Sequence, residues 1–298
     1  MRAHPGIRIN YTSMANSAIM LGTLRAQRNA PEIDVMILDL TMAKPGSDEG
    51  LFEQIPRDSM PVLDELNQSR AFQPGAAGPA VTFDNLVLIY SPERINPAPD
   101  SWRVFWEPSS KGKVAITGVP DIGGISIVLM ANKMAGVNDY LNFEKGIAEV
   151  AEMAPNVLTF DPSPDAYSML INGLISLSHG WNARAQLYAK QSPGKIASVV
   201  PKEGSFAIMN IINLVKHAPQ SDAAKIFIAY ALSVEAQSAF AERMYYAPTN
   251  TRVVLSDQAR ERIPTQEEMA SWTPIDWIKV AAIRDKLNEQ WRRRVLTR

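Results

Sequence analysis

The sequence contains no cysteine and only three histidines, and these absences remove several kinds of chemistry. Without cysteine the chain has no disulfide, no thiolate nucleophile and no sulfur ligand for a metal. His4, His179 and His217 lie far apart and match no metal-binding spacing such as HExxH. We therefore predict no metal site. The compartment stays open, because exported bacterial proteins often lack cysteine as well.

Motifs that mark common enzyme classes are also absent. The sequence has no GxSxG nucleophile turn, no Walker A phosphate loop and no dinucleotide-binding fingerprint. The basic pieces KGK at 111–113 and SPGK at 192–195 lack the loop length needed to cradle phosphates. We predict no catalytic residue and no cofactor.

The chain has neither a charge excess nor a long apolar run. Thirty Lys and Arg against 31 Asp and Glu give a net charge of -1, which attracts neither nucleic acid nor an anionic membrane surface. No window reaches the roughly 18 apolar residues of a membrane span, and the start MRAHPGIRINYTS has no apolar signal core. We expect no nucleic-acid binding and no membrane insertion of this chain.

Length and patterning indicate two α/β lobes. A chain of 298 residues exceeds the usual domain of about 100 to 200. Short β-rich runs alternate with helical patterns, which favours parallel sheets covered by helices. The predicted strands are 7–11, 35–38, 86–90, 114–117, 174–178 and 197–200. The predicted helices are 16–28, 124–135, 140–152, 164–173 and 221–244.

Some helix ends carry explicit signals. In SPDAYSMLING, Ser163 is predicted as the N-cap, Pro164 as the first helical residue and Gly173 as the stop. Further on, Ser221 is predicted to cap one helix and Ser233 to begin a second.

Two pieces interrupt the alternation and are candidate crossings between lobes. They are QPGAAGPAVTFDN at 73–85 and VPKEGS at 200–205. We predict a first lobe of 1–84 and 205–250, a second lobe of 85–204, and C-terminal helices at 251–298 that pack on either lobe. A cleft between two such lobes is a usual place for a small ligand.

Polar residues at the ends of predicted strands are the candidate ligand contacts, because ligands of open parallel sheets bind beyond the carboxyl ends of the strands. Each aspartate alone fits a turn or helix cap better. Trp181 fits a stacking wall and a core position equally well. The candidates are Asp39, Asp84, Asn85, Asp121, Gly123, Trp181 and Asn182.

The run AIMNIINLV sets Asn210 and Asn213 among apolar residues. A buried amide without partners costs about 1 to 3 kcal/mol, so either the fold or a ligand must satisfy each one. Residues three apart point to opposite faces of a strand. The two amides therefore face opposite sides of the strand, and the pattern alone leaves open which of them meets a ligand. Thr12, Ser13 and Glu203 complete the candidate site.

Six segments, read in order, resemble the periplasmic solute-binding proteins of ABC importers, in particular the spermidine/putrescine-like group. They are LRAQRNAPEIDVMILD (24–39), DNLVLIYSPERI (84–95), SWRVFWEPSSKGKVAI (101–116), GWNARAQLY (180–188), VVPKEGSFAIMN (199–210) and FAERMYYAPTN (240–250). The resemblance implies a type II periplasmic-binding-protein fold, with a mixed, mainly parallel sheet flanked by helices in each lobe. It also implies capture of a small polar solute in the interlobe cleft, delivery to an ABC permease of the inner membrane, a periplasmic location and no enzymatic activity.

Two features depart from the family pattern. Polyamine-binding relatives typically have an aspartate after a tryptophan where this chain has Asn210 after Ile208. The resemblance implies that Asn210 is a ligand contact, which leaves a structural role for Asn213 on the opposite face. A neutral amide cannot make the charge-assisted bond that a desolvated ammonium needs, so we expect weak polyamine binding. Four carboxylates could still hold a cation: Asp39, Asp84, Asp121 and Glu203. Family members also have a strand and helix before the segment that matches 7–11. We expect either that the start site is assigned too far downstream or that the first lobe lacks them.

Two other function classes remain open. An enzyme on the same two-lobed fold would need a nucleophile or base in the cleft, and His179 beside Trp181 is the histidine nearest a proposed cleft position. A cytoplasmic ligand-sensing domain would normally be joined to a DNA-binding module, and no helix-turn-helix pattern is left over in this sequence.

Overall fold

The computed structural model describes residues 4–14, 16–55 and 57–297 and divides the chain into two compact units. The first unit comprises Met1–Thr82, Met209–Gln237 and Pro248–Val253. The second unit comprises Phe83–Ile208, Ser238–Ala247 and Val254–Arg298. Neither unit is continuous in sequence. Within the described ranges, no helix is both long and apolar enough to span a membrane.

Strands and α-helices alternate along most of the chain. The strands are β1 (Val35–Asp39), β2 (Phe52–Glu53), β3 (Ala80–Tyr90), β4 (Val114–Ala115), β5 (Val157–Thr159), β6 (Leu177–Trp181), β7 (Ala197–Val199), β8 (Ala207–Val215) and β9 (Ala247–Pro248). The α-helices are α1 (Ser17–Ala26), α2 (Leu40–Asp48), α3 (Ile122–Met134), α4 (Glu144–Met153), α5 (Ala166–Ile171), α6 (Asn182–Gln191), α7 (Ser221–Ala231), α8 (Val234–Met244), α9 (Asp257–Arg260), α10 (Gln266–Ser271) and α11 (Trp277–Arg294).

Strand pairing is mixed. In the first unit, β1 and β2 pair antiparallel with β8. In the second unit, β3 pairs antiparallel with β6 and β7, and β4 lies parallel to β5 and β6. The predicted α/β class with a mixed sheet is confirmed. The antiparallel share is larger than the strand–helix alternation indicates, because the long strands β3 and β8 run against their neighbours.

β3 is a long buried strand within which the chain leaves the first unit. All of its residues are buried, and its polar residues Thr82, Asp84 and Asn85 fall at the change of unit. Gly78, just before β3, is required by a close approach, because a Cβ there would lie 1.9 Å from the carbonyl oxygen of Ile212. This approach allows the N–H of Ile212 to donate to the carbonyl of Pro79 at 3.0 Å.

The core of the second unit lies under α5 and α6. Val87 and Ile89 of β3 pack there with Tyr167, Leu170 and other apolar residues. On α3 the residues from Gly123 to Asn132 are buried without interruption, as expected for a helix that is apolar on all sides. The helix packs against α4.

Most predicted elements are found, and several boundaries are corrected. Residues 7–11 form no strand, and a single extended segment gains no stability without a partner. β6 begins at Leu177 rather than at 174, because 174 is an exposed position just after the turn at Gly173, whose φ is 75°.

The predicted caps are corrected at two helices. Asp165, and not Ser163, is the N-cap of α5, since its Oδ1 accepts the N–H of Ser168 at 2.8 Å. Ser221 is the first residue of α7 rather than its cap. Ser233 acts as predicted at the start of α8, because its Oγ accepts the N–H of Ala236 at 3.2 Å.

Candidate functional site

Strand register in the second unit brings several candidate residues to one edge of its sheet. β4 and β6 run parallel with Val114 opposite Leu177, so their carboxyl ends lie together. β3 runs against β6 with Leu86 opposite Trp181, so the residues just before Leu86 lie at the same edge. The candidates that follow or precede these strand ends are Asp84, Asn85, Asp121, Gly123, Trp181 and Asn182.

Asp84 is a buried carboxylate whose two oxygens have different surroundings. Its Oδ1 accepts the N–H groups of Asn85 at 2.8 Å and Ala183 at 3.1 Å, so it caps the first turn of α6 from a neighbouring strand. Its Oδ2 is buried and has no hydrogen-bond partner within the described residues. Burial raises the pKa of Asp84 to about 7, although those N–H groups and the charge of Arg184 act in the opposite direction. The group is therefore partly ionised at neutral pH.

Asn85 is a second buried polar group at this edge. Its Nδ2 makes only long hydrogen bonds, at 3.3 Å to the carbonyl of Leu86 and 3.4 Å to Oγ of Ser205. Its Oδ1 is buried and has no partner in the part of the chain that the structure describes. An unsatisfied buried acceptor costs about 1 to 3 kcal/mol, so the unpaired Oδ1 of Asn85 destabilises the fold at this edge of the sheet.

The first turn of α3 is capped by Asp121 and lies against the side chain of His179. Oδ1 of Asp121 accepts the N–H of Gly123 at 2.8 Å. A Cβ at Gly123 would lie 2.5 Å from Nε2 of His179, so the glycine makes room for the imidazole. His179 is buried, and burial lowers its pKa to about 4, so the ring is neutral at physiological pH. The space beside this candidate residue is therefore occupied by a histidine that the sequence does not place there.

Trp181 ends β6 beside residues that sequence reasoning missed. It is partly exposed, and its N–H donates to the hydroxyl of Tyr167 at 2.6 Å. The Tyr167 ring stacks on Tyr188 with centroids 5.3 Å apart. Arg184, an exposed residue of the first turn of α6, has its guanidinium carbon 5.7 Å from the centre of the Tyr167 ring. Arg184 follows Ala183, which bonds to Asp84, so a positive and a partly negative group lie close together.

Two further candidates of the second unit are used by the fold itself. Nδ2 of Asn182 donates to the carbonyl of Arg262 at 2.8 Å, and its Oδ1 accepts from Gln186 at 3.1 Å. The Glu203 carboxylate accepts the Ser101 hydroxyl and, at 3.1 Å, the N–H of Trp102. These contacts give both side chains a structural role.

In the first unit, Asp39 and Asn210 lie opposite each other on β1 and β8. Oδ1 of Asp39 accepts the N–H of Thr41 at 2.9 Å and also the Thr41 hydroxyl, so Asp39 caps α2. Nδ2 of Asn210 donates to Oγ1 of Thr82 at 2.9 Å. The fold thus supplies a partner for each of these polar side chains.

The remaining polar candidates of the first unit differ in burial. Asn213 is fully buried and donates to the carbonyls of Met36 at 3.2 Å and Ile211 at 3.0 Å, which agrees with the structural role expected for it. Thr12 and Ser13 are exposed in an irregular segment. Among the described residues, no group of three or more His, Asp or Glu has an arrangement that could hold a metal ion.

Comparison with known proteins gives one family and several relatives. The family model for bacterial extracellular solute-binding proteins matches residues 1–265. The spermidine/putrescine-binding periplasmic protein 1 of Haemophilus influenzae is 22% identical, over 95% of this chain and 79% of its own length. The gamma-aminobutyric acid-binding protein of Pseudomonas aeruginosa is 26% identical, over 74% of this chain and 63% of its own length. The crystal structure of an ABC transporter from Clostridium perfringens is similar over 99% of this chain and 92% of that one, with a TM-score of 0.76 and 26% identity.

Proposed function

The chain belongs to the bacterial extracellular solute-binding protein family and is the solute-binding component of an ABC-type importer, and we propose that its solute is a small zwitterion with an ammonium and an acid group. In this proposal the protein captures the solute in the periplasm, leaves it chemically unchanged and delivers it to an ABC permease of the inner membrane. The solute's ammonium group pairs with Asp84 and its acid group with Arg184.

The observation that carries the proposal is the unpartnered Oδ2 of Asp84. Of the other carboxylates that the sequence offered for a cation, Asp39 and Asp121 cap helices and Glu203 accepts from Ser101 and Trp102. An ammonium beside Asp84 would donate to Oδ2 and hold the carboxylate ionised, which offsets the cost of its burial. Both named relatives bind molecules that contain amino groups.

The acid end of the solute is assigned from Arg184. Arg184 follows the residue that bonds to Asp84, so a short zwitterion would find partners for both charges at neighbouring positions. A planar guanidinium suits a carboxylate because it can donate two parallel hydrogen bonds. The partly exposed Trp181 offers an apolar wall for the methylene chain between the two charged groups. A polyamine has no acid group that could pair with Arg184. The neutral amide of Asn210, in place of the aspartate of polyamine-binding relatives, also argues against a polyamine.

Three ligands with the same four-carbon chain test this assignment. Calorimetric titration of the protein with gamma-aminobutyrate, putrescine and butyrate compares both charged groups with the ammonium alone and the carboxylate alone. We expect gamma-aminobutyrate to bind at least about tenfold more tightly than the other two, since each lost charged hydrogen bond costs about 1.5 to 3 kcal/mol. Putrescine binding as tightly as gamma-aminobutyrate would overturn the zwitterion assignment. Mass spectrometry of the released ligand tests the enzyme alternative, because a transport protein returns it unchanged.

The role of Asp84 is tested by Asp84→Asn against a matched control, Asp257→Asn, which alters an exposed aspartate of α9 in the same unit. We expect Asp84→Asn to weaken gamma-aminobutyrate binding about tenfold or more and the control to leave it unchanged. Wild-type affinity should also fall between pH 8 and pH 6, where Asp84 becomes protonated, while that of Asp84→Asn should not. Equal affinities for Asp84→Asn and the wild type would remove Asp84 from the site.

A further inference from the structure

The first unit contains a cavity of about 230 Å³ between the ends of α1, α2 and β8. Its apolar wall is formed by Leu24, Leu51 and Val215, all of them buried, together with Pro31. This wall gives the cavity a surface from which a ligand's apolar atoms can exclude water.

The cavity lies at the other end of the sheet from the polar candidates of the first unit. β1 pairs with β8 from Val35 opposite Leu214 to Asp39 opposite Asn210. The cavity is lined by Val215 and Lys216, so about four residues of β1, or about 13 Å, separate it from Asp39. The proposed solute site is formed by Asp84, Trp181 and Arg184 of the second unit, and none of them lines this cavity, so an inference about it does not depend on the proposed function.

Among the described residues, basic side chains line the cavity and acidic ones do not. The basic side chains are Arg28, Lys216 and His217. The nearby Glu49 carboxylate is already held by Arg25, whose Nε donates to it at 2.9 Å, and this bond keeps the pKa of Glu49 below its usual range. Arg28 is anchored beside the cavity, because it donates to the backbone carbonyl of Glu49 at 2.7 Å. The local charge is therefore positive.

Side chains supply hydrogen-bond donors at this cavity. The Lys216 ammonium makes no hydrogen bond or ion pair within the described residues, and its aliphatic stem can lie along the apolar wall. The N–H groups of Gly50, Leu51 and Lys216 already donate to carbonyls. A carboxylate can be held by cationic side chains alone, without backbone donors.

We propose that this cavity binds a small organic monoanion, namely a carboxylate on a short apolar chain. The carboxylate lies against Lys216 and Arg28, and the chain lies against Leu24, Leu51 and Val215. The proposal joins the apolar wall to the cationic side chains, which neither an alcohol nor an amine of the same length would use fully.

The test titrates the protein with pentanoate, pentan-1-ol and pentylamine and follows backbone amide signals by NMR. We expect pentanoate alone to shift the signals of Leu24, Leu51 and Val215, with half-saturation on the order of 1 to 10 mM, as befits a ligand of seven non-hydrogen atoms. Lys216→Met should weaken this binding about threefold or more. The matched control Lys225→Met, on the exposed face of α7 in the same unit, should leave it unchanged.

Several outcomes would overturn the proposal. Equal shifts with pentylamine or pentan-1-ol would show that charge does not select the ligand. The same loss of affinity in Lys216→Met and Lys225→Met would show a general charge effect. Shifts centred on Trp181 rather than Val215 would mean that pentanoate enters the solute site, and Asp84→Asn checks this independently, because it should leave binding at the cavity unaltered.

Discussion

Asp39 in the first unit and Asp84 in the second both accept an N–H group from the first turn of a helix, yet their surroundings differ. Asp39 caps α2, the helix that follows it directly, and also accepts the Thr41 hydroxyl. Asp84 caps α6 through Ala183, which lies 99 residues further along the chain, and keeps a buried oxygen that has no donor among the described residues. A cap supplied by adjacent residues is completed locally. A cap supplied by a distant strand depends on tertiary register and can be left incomplete where a ligand completes it.

The largest effect expected from this comparison is the change in the free energy of unfolding when Asp84 is substituted. Its pKa rises from about 3.8 to about 7 on folding, so the folded protein holds a proton that the unfolded chain releases. Stability contributed by this group is therefore present below pH 4 and is lost as the pH rises to 7. Asp84→Asn keeps an acceptor for Ala183 without the charge, and we expect it to stabilise the protein by about 2 to 4 kcal/mol at pH 8.

Urea denaturation of both proteins at several pH values measures this difference. The gap between Asp84→Asn and the wild type should narrow steadily as the pH is lowered from 8 towards 4. A gap of the same size at all pH values, or a less stable variant at pH 8, would contradict the raised pKa. Together with the loss of ligand affinity expected for the same variant, a gain in stability would mark Asp84 as a group kept for binding at a cost to the fold.

At Asp39 the comparison predicts that removing the carboxylate lowers the stability of the protein, whereas at Asp84 it raises it. Asp39→Ala removes the N-cap of α2, and we expect it to destabilise the protein by about 1 kcal/mol, within the range of 0.5 to 2 for such caps. Asp39→Asn is the matched control, because asparagine caps about as well as aspartate and should cost much less. The same urea series serves as the measurement. A destabilisation by Asp39→Asn as large as that by Asp39→Ala would indicate that the charge, rather than the cap, matters here.

The sequence predicts well those helices, strands and turns that are determined by residues close together in the chain. The start of α3 follows from Asp121 and the apolar run after it, and the turn at Gly173 follows from the need for a positive φ. β1 and the second half of β3 follow from β-branched and aliphatic runs. Each of these elements is determined by residues within about one turn of helix or one strand of each other, so composition and spacing are enough. Residues 7–11 have the same kind of local signal but no strand partner, and there the prediction is wrong.

The parts of the candidate site that the sequence does not reveal are those set by register. Arg184 and Tyr167 meet the edge that holds Asp84 because Leu86 pairs with Trp181, and hydrophobic patterns do not encode which residues pair across that distance. The orphan oxygen of Asp84 is likewise a property of packing. A signal for Arg184 was present in GWNARAQLY, where a cation follows the strand-end tryptophan by three residues and the amide by two.

The smallest effect on stability is expected at Asn210, the position where polyamine-binding relatives typically have an aspartate. Asn210 lies directly opposite Asp39 on the neighbouring strand, so Asn210→Asp would set two carboxylates on the same face. We expect a loss of about 0.5 kcal/mol at pH 7, since like charges directly opposite destabilise a strand pair by a few tenths to 1 kcal/mol. Repeating the substitution in an Asp39→Asn background removes the opposing charge, and the loss should disappear in that double variant. Denaturation of the four proteins in low salt gives the coupling energy. If Asn210→Asp costs the same in both backgrounds, the two side chains do not interact, and the loss comes instead from the hydrogen bond that Asn210 donates to Thr82.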